Sequence, residues 1–318
     1  MTKEEQIKYI EENYPYVCGR CSTRRIRDSF FDNIKTEIQA YLLGFHCADG
    51  CVDNRRNTFR IQLQEADSEI VYMFKDFVAP DSRLFTFEPR TGFDKRSNKT
   101  YIKGKMFGID IYCKKLNSGL EKWGFGQNKT YNELHLPNID KSLIRHFIRG
   151  YFDGDGCISW FVRKLDKKHR FPNINAQVIF TSKTKTLFEE IINYLNDYNI
   201  THCSIFNYKQ RNCYMLCISK SELPKLFHLL YDDSNFYLKR KYDKFNHFVN
   251  TEVTQLIAEY RNAQKVSASD SNNPPTSAEH PTRVKMCAEL TGNCENSEIK
   301  SSEDNKLGME WNDCSTSS

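Results

Sequence analysis

Two ten-residue segments, YLLGFHCADG (41–50) and FIRGYFDGDG (147–156), end on an aspartate followed by a glycine. Each aspartate, Asp49 and Asp155, closes an apolar helical pattern. A helix C-terminus carries partial negative charge and disfavours a carboxylate by ~0.3–1 kcal/mol. Small residues precede each acid at a spacing of four, Gly44 with Ala48 and Gly150 with Gly154. Residues so spaced share one helix face. Small ones let two helices approach backbone to backbone. A helical glycine costs roughly 1 kcal/mol against alanine, so matched glycines in two segments imply a close helix pair. Such a pair brings two carboxylates together at two negative helix ends, which calls for a cation. Oxygen ligands select a hard divalent ion, Mg²⁺ or Mn²⁺. A metal there can activate water and stabilise the leaving oxygen in phosphodiester hydrolysis. Gly50 and Gly156 are expected as left-handed caps of the two helices.

The elements that must position these acids repeat. After IKTEIQAYLLGFHCADG come the strand patterns CVD and TFRIQLQ, the helical DSEIVYMFKDFV, the strand-like RLFTFEP and YIKGKMFGIDIY, and the short helix CKKLNSGLEKWG. SLIRHFIRGYFDGDG opens the same order again: strands CISWFVRKL and NINAQVIFTS, helix KTKTLFEEIINYLNDYN, strands HCSIFNY and CYMLCIS about a KQRN turn, and helix SELPKLFHLLY. The fold expected is α+β, with two pseudo-symmetric αββαββα repeats. Each has a four-stranded antiparallel sheet with helices on one face, and the repeats pack through the motif helices. The boundaries expected are a basic extension over 1–32, repeats over 33–130 and 141–250, a linker over 131–140, and an acidic tail without a fold over 262–318.

Strand alternation says what the uncovered faces carry. In TFRIQLQ, Ile61 and Leu63 point to the core and Arg60, Gln62 and Gln64 away. In NINAQVIFTS, Ala176, Val178 and Phe180 share one face, with Asn175, Gln177 and Thr181 on the other. Arginine and the amides suit guanine and adenine edges. The whole chain has 46 Lys and Arg against 41 Asp and Glu. Residues 262–318 hold five basic and nine acidic residues, leaving a body that is strongly basic and suited to a polyanion. No run of apolar residues reaches membrane-spanning length and the charged start lacks a secretory pattern, so an intracellular protein, cytoplasmic or nucleoid-associated, is expected. The 12 cysteines read as reduced thiols; Cys18 and Cys21 form a CxxC without a second half, and Cys47 and Cys51 lie within the first motif.

LLGFHCADG and IRGYFDGDG resemble the two motifs of single-chain LAGLIDADG homing endonucleases, a similarity that spans roughly residues 30–250. The resemblance implies a site-specific double-strand DNA endonuclease, acting as a monomer on a long pseudo-palindromic site. The two sheets would straddle the major groove, with Asp49 and Asp155 as metal ligands. The first copy departs at its sixth position, where Cys47 replaces an acid; that position is structural in the family. The resemblance also implies a basic residue beside each metal site, here Lys129 and Lys241, able to stabilise developing charge or position water. Residues suited to base or phosphate contact are Arg60, Gln62, Gln64, Arg163, Asn175, Gln177, Lys209 and Arg211. The basic segment CGRCSTRRIRDS could track phosphates.

Four other readings compete: a non-cleaving DNA-binding regulator, an RNA maturase on the same scaffold, a self-splicing element, and a metal-stabilised binding module. Self-splicing expects a nucleophile at the start and His-Asn at the end, which Met1 and the terminal DCSTSS do not provide. The binding module leaves the polar sheet faces and the basic body without a role.

Overall fold

The computed structural model describes residues 1–18, 24–94, 99–162 and 173–269. The N-terminal extension forms α1 (Lys3–Asn13) and a short strand pair, β1 (Val17–Cys18) and β2 (Arg25–Ile26). The first repeat follows as α2 (Glu37–Asp49), β3 (Cys51–Asp53), β4 (Thr58–Gln64), α3 (Ser68–Val78), β5 (Leu84–Phe87), β6 (Arg90–Asp94), β7 (Lys99–Lys103), β8 (Met106–Tyr112) and α4 (Lys114–Glu121). The second runs α5 (Lys141–Asp155), β9 (Cys157–Val162), β10 (Ile174–Ser182), α6 (Thr186–Asn196), β11 (Cys203–Tyr208), β12 (Cys213–Ser219) and α7 (Leu223–Tyr231). Two further helices close the described chain, α8 (Lys239–Asn250) and α9 (Val253–Ser269).

The two four-stranded sheets share one topology, β3-β4-β8-β5 and β9-β10-β12-β11, with every pairing antiparallel. Alternation holds as expected. Phe59, Ile61 and Leu63 are buried while Arg60 and Gln64 are exposed, and Ala176, Val178 and Phe180 are buried between partly exposed Asn175, Gln177 and Thr181. Helices cover the buried faces, with Phe74 of α3 against Phe59 and Phe152 of α5 against Phe180.

The structure departs from the expected elements in two places. The run YIKGKMFGIDIY is two strands, broken at Gly104-Lys105, and its first part pairs with β6 as a separate hairpin between β5 and β8. The second departure is α9, which continues to Ser269, into the stretch expected to carry no fold. Leu256 and Ile257 explain the start of that helix, because both are buried. The rest of the expected tail, 270–318, lies outside the described residues.

The extension braces the first repeat. Arg27 is buried and donates from Nε to the Tyr14 carbonyl (2.9 Å) and from Nη1 to the Phe77 carbonyl (2.8 Å) and to the Tyr16 hydroxyl. Arg25 pairs with Asp81 at 2.9 and 3.0 Å. Both guanidiniums fasten the segment to the end of α3, and residues 19–23 of the basic run lie outside the described residues. Among the described residues no helix is long and apolar enough to cross a membrane.

Candidate active site

The motif helices start on matched signals. Thr36 and Gln39 form a reciprocal capping box on α2, and the Asp140 side chain accepts from the Ser142 amide on α5 at 2.8 Å. From Glu37 to Cys47 every residue of α2 is buried, as expected of a helix enclosed on all sides. The two helices meet through their glycines. A Cβ on Gly44 would overlap the Phe147 carbonyl oxygen and stand 2.8 Å from its carbon. A Cβ on Gly150 would overlap the Tyr41 carbonyl oxygen and stand 2.8 Å from the Phe45 nitrogen. Tyr41 and Phe147 hold equivalent places in the two motifs, so the contact is two-fold symmetric. Lower down, a Cβ on Gly154 would overlap the Ala48 methyl and lie 3.2 Å from Asp49 Oδ2.

The helices therefore end side by side, with Asp49 exposed and Asp155 half-buried directly after buried turns. The Tyr151 phenol lies in the field of both carboxylates: burial first, then Asp155, and Asp49 less strongly, push it well above its ordinary range. Gly50 and Gly156 are not left-handed. Their φ values are −75° and −80°, and the backbone there is extended. Glycine is needed for another reason. A Cβ on Gly50 would overlap His46 Nδ1, and one on Gly156 would overlap the Phe152 ring and sit 2.6 Å from the Phe152 carbonyl oxygen. The strand that leaves each helix turns back against its last turn.

Lys129 and Lys241 cap these turns from below. Lys241 Nζ donates to the carbonyls of Phe152 (2.7 Å), Gly154 (2.9 Å) and Gly156 (2.7 Å). Lys129 Nζ donates to Gly50 (2.6 Å) and Ala48 (3.4 Å), the matching carbonyls of the first motif. Both lysines are buried. Each brings a positive charge to a negative helix end, which offsets the cost of the aspartate placed there.

The sixth motif position differs between the copies, and the structure gives each residue a task. Asp153 is buried and accepts from the Tyr41 hydroxyl (2.8 Å), the Tyr231 hydroxyl (3.2 Å) and the Leu238 amide (2.7 Å), so it ties α5 to α2 and to the start of α8. Burial pushes its pKa up. Cys47 is a buried thiol pushed up to about 12, chiefly by burial. It is a neutral packing residue.

Among the described residues no cluster of three or more His, Cys, Asp or Glu side chains could hold a metal ion. Asp49 and Asp155 offer two carboxylates at the paired helix ends. That fits Mg²⁺, which is commonly held by one or two carboxylates together with substrate phosphates and water.

Four polar residues near the site had no signal in the sequence pattern. Arg149 is fully buried and donates to Glu37 Oε1 (2.7 Å), the Phe236 carbonyl (2.8 Å) and the Leu230 carbonyl (2.7 Å), with His146 Nδ1 at 2.7 Å. Glu37 also accepts from Gln6 (3.0 Å), the Asn235 amide (2.7 Å) and its side chain (2.8 Å). His46 donates from Nε2 to the Phe125 carbonyl at 2.7 Å and leaves Nδ1 without a partner against Gly50.

The histidines predict a pH dependence of stability. Burial, aided by Lys129, lowers His46 from 6.5 to about 3, and burial with Arg149 and Arg145 lowers His146 to about 2. The unfolded chain binds these protons near the ordinary value and the folded chain does not. Stability is therefore complete above that value and falls with pH below it, by up to about 1.4 kcal/mol per pH unit for each histidine. Asp153, raised by burial, acts in the opposite sense. The denaturation midpoint should drop between about pH 6.5 and 5. His46→Phe, which supplies the ring that Phe152 supplies in the second motif, should flatten that slope. An unchanged slope in the variant would contradict the assignment.

The remaining expected contact residues are spread over the open faces. Gln62 and Gln64 point outward, but Arg60 is engaged with Asp110 through two bonds of 2.6 Å and lies over the Phe85 ring at 5.4 Å. Lys209 and Arg211 sit at the exposed β11–β12 tip, where Asn212 turns the chain at φ 47°. Arg163 lies outside the described residues.

Residues 142–230 match the family model described as a LAGLIDADG-like domain. That segment covers most of the second repeat. A stretch of 104 residues, 33% of this chain, is 36% identical to reverse gyrase of Methanocaldococcus jannaschii, and the match spans 6% of that relative's length. Among solved structures, the homing endonuclease I-WcaI bound to its DNA recognition sequence is 16% identical, covering 70% of this chain and 94% of its own at a TM-score of 0.45. The LAGLIDADG meganuclease I-AabMI bound to uncleaved DNA is 16% identical over 66% of this chain and 89% of its own, at a TM-score of 0.41. The I-DmoI complex with DNA and Mn is 16% identical over 63% and 98%, at 0.37. The matched segment begins in the α5 motif helix and contains Asp153, Asp155 and the whole of the second sheet.

Proposed function

We propose that the protein is a site-specific, metal-dependent double-strand DNA endonuclease of the homing type. One observation carries the reading: two glycine-paired helices end side by side, each on an aspartate, between two sheets with uncovered faces. The LAGLIDADG-like match of the second repeat supports it, and the basic body suits a polyanionic substrate.

Asp49 and Asp155 would hold the divalent ion, Mg²⁺ or Mn²⁺, which when bound would supply an activated water and charge stabilisation at the scissile phosphodiester. Lys129 and Lys241 fix the helix-end carbonyls that precede and follow the acids, and so position the carboxylates rather than meet the phosphate. Asp153 holds the second motif helix against α8. Gln62, Gln64, Asn175 and Gln177 are the base-edge candidates on the open faces, with Lys209 and Arg211 for phosphates. Both repeats lie on one chain, so a monomer bound to one long pseudo-palindromic site is expected.

The test is incubation of the full chain with a random duplex library and Mg²⁺, followed by sequencing of the ends. We expect a discrete set of sites cut on both strands, with no cutting in chelator and none by the Asp49→Asn, Asp155→Asn double variant. Binding without metal-dependent cutting would leave a DNA-binding regulator. Cutting by the double variant would overturn the site.

A further inference from the structure

The two open sheet faces differ in chemistry. The first carries Arg60, Asp110 and Asp53 on its strands. Among the described residues, the four strands of the second contain no charged residue. Register places the outward residues in rows. Phe161 lies beside Asn175, and Ser159, Gln177 and Ser219 form the next row. Cys157, Cys217 and Ser204 come after, in the row of Ile179, which is itself buried, then Thr181, Met215 and Phe206. Ile158, Val178, Leu216 and Ile218 are buried on the opposite, helix-covered face, which fixes which side is open. Phe206 is 43% exposed, and Phe161 and Met215 are partly exposed.

Base edges sort this set sharply. A bidentate guanine contact needs arginine or lysine, and cytosine offers an amino donor that suits Asp or Glu. The second sheet's strands have neither. Asparagine and glutamine match adenine N6 and N7, and apolar groups match the thymine methyl. Here two amides stand among Phe161, Met215 and Phe206. Positive charge is held at the rim, where Lys183 fastens the Lys209–Arg211 tip through the carbonyls of Arg211 (2.9 Å) and Asn212 (2.7 Å). That arrangement suits phosphates at the edge and uncharged contacts inside the groove.

We infer that the second sheet reads an A·T-rich half-site, largely through thymine methyl groups, while the first sheet reads a half-site with mixed composition. The inference rests on the DNA reading proposed above. It assigns the occupant of an open, uncharged sheet face that adjoins the Asp155 turn, since β9 begins at Cys157 directly after Gly156.

The test uses the full chain and a duplex selected from a random pool by gel shift, with Ca²⁺ present. The selected site should have one A·T-rich half. Replacing every dT of that half by dU, which removes only the methyl groups, should weaken binding by about tenfold or more, whereas the same replacement in the other half changes it by less than about threefold. Met215→Ser should lose the dT over dU preference and keep the other half's selectivity, which also shows that the variant folds. Selection of a G·C-rich half under the second sheet would overturn the inference, as would equal binding of dT and dU duplexes or a Met215→Ser effect on the wrong half. Failure to enrich any duplex would instead overturn the DNA reading itself, and the inference with it.

Discussion

Arg149→Met should unfold the protein roughly 10 °C earlier than wild type, at about 3–5 kcal/mol lost and ~2–4 °C per kcal/mol for a unit of this size. The reason is what the substitution leaves behind. Glu37 is buried, and its carboxylate would keep the Asn235 amide, the Asn235 side chain, Gln6 and the more distant Phe236 amide (3.2 Å), but lose its permanent cation and keep only the His146 imidazole at 3.9 Å. A buried charge stripped of its partner costs far more than the pair contributes over an apolar substitute. The Leu230 and Phe236 carbonyls would lose their donor as well. Pairing Arg149→Met with Glu37→Leu removes the orphaned charge and should recover part of the loss. Thermal melts of the two single variants and the double variant give the coupling. Additive losses would contradict a mutual pair.

Gly150→Val is expected to cost less stability but far more activity. The new side chain meets the Tyr41 carbonyl oxygen and the Phe45 nitrogen, which are backbone atoms of a buried helix and cannot swing aside. Overpacking of this kind costs about 1–3 kcal/mol, occasionally more. The helices can relieve it only by separating, which moves Asp155 away from Asp49. A displacement near 1 Å at reacting groups costs about a hundredfold in rate. Cleavage should therefore fall much further than stability does. Gly44→Val should behave alike, because Phe147 faces it as Tyr41 faces Gly150. Gly104→Ala is the control, since nothing lies within 4 Å of the added carbon. Melting temperature and cleavage rate, measured on the same samples, separate the two effects. Full cleavage by a folded Gly150→Val variant would contradict the close helix pair.

Much of this was legible in the sequence because periodicity reports burial. Ile61 and Leu63 alternate with Gln62 and Gln64, and that fixes which face of β4 is covered. Matched small residues in two similar segments announced the helix pair. The parts that stayed hidden depend on three-dimensional neighbours. Gly50 and Gly156 look like left-handed caps in sequence, but their lack of a side chain is required by the His46 and Phe152 rings beneath them. Lys129 and Lys241 lie against the motif ends, and only the fold reveals that carbonyls take up their ammonium groups. The partners Glu37 and Arg149 come from different repeats, and no local pattern links them. The β6–β7 hairpin was missed because the break at Gly104-Lys105 lies inside a run whose Tyr, Ile, Met and Phe residues read as one strand.

The account's central claim is that Asp49 and Asp155 act together at one seam. The most direct measurement is single-turnover cleavage of the selected duplex by Asp49→Asn and by Asp155→Asn, each with saturating Mg²⁺ and with duplex affinity measured in parallel. The account predicts that each substitution alone slows cutting of both strands by at least about 10³-fold, a loss on the scale of removing one key charge-stabilising group, and changes affinity by only a few fold. Cutting of either strand at near wild-type rate by either variant would contradict it.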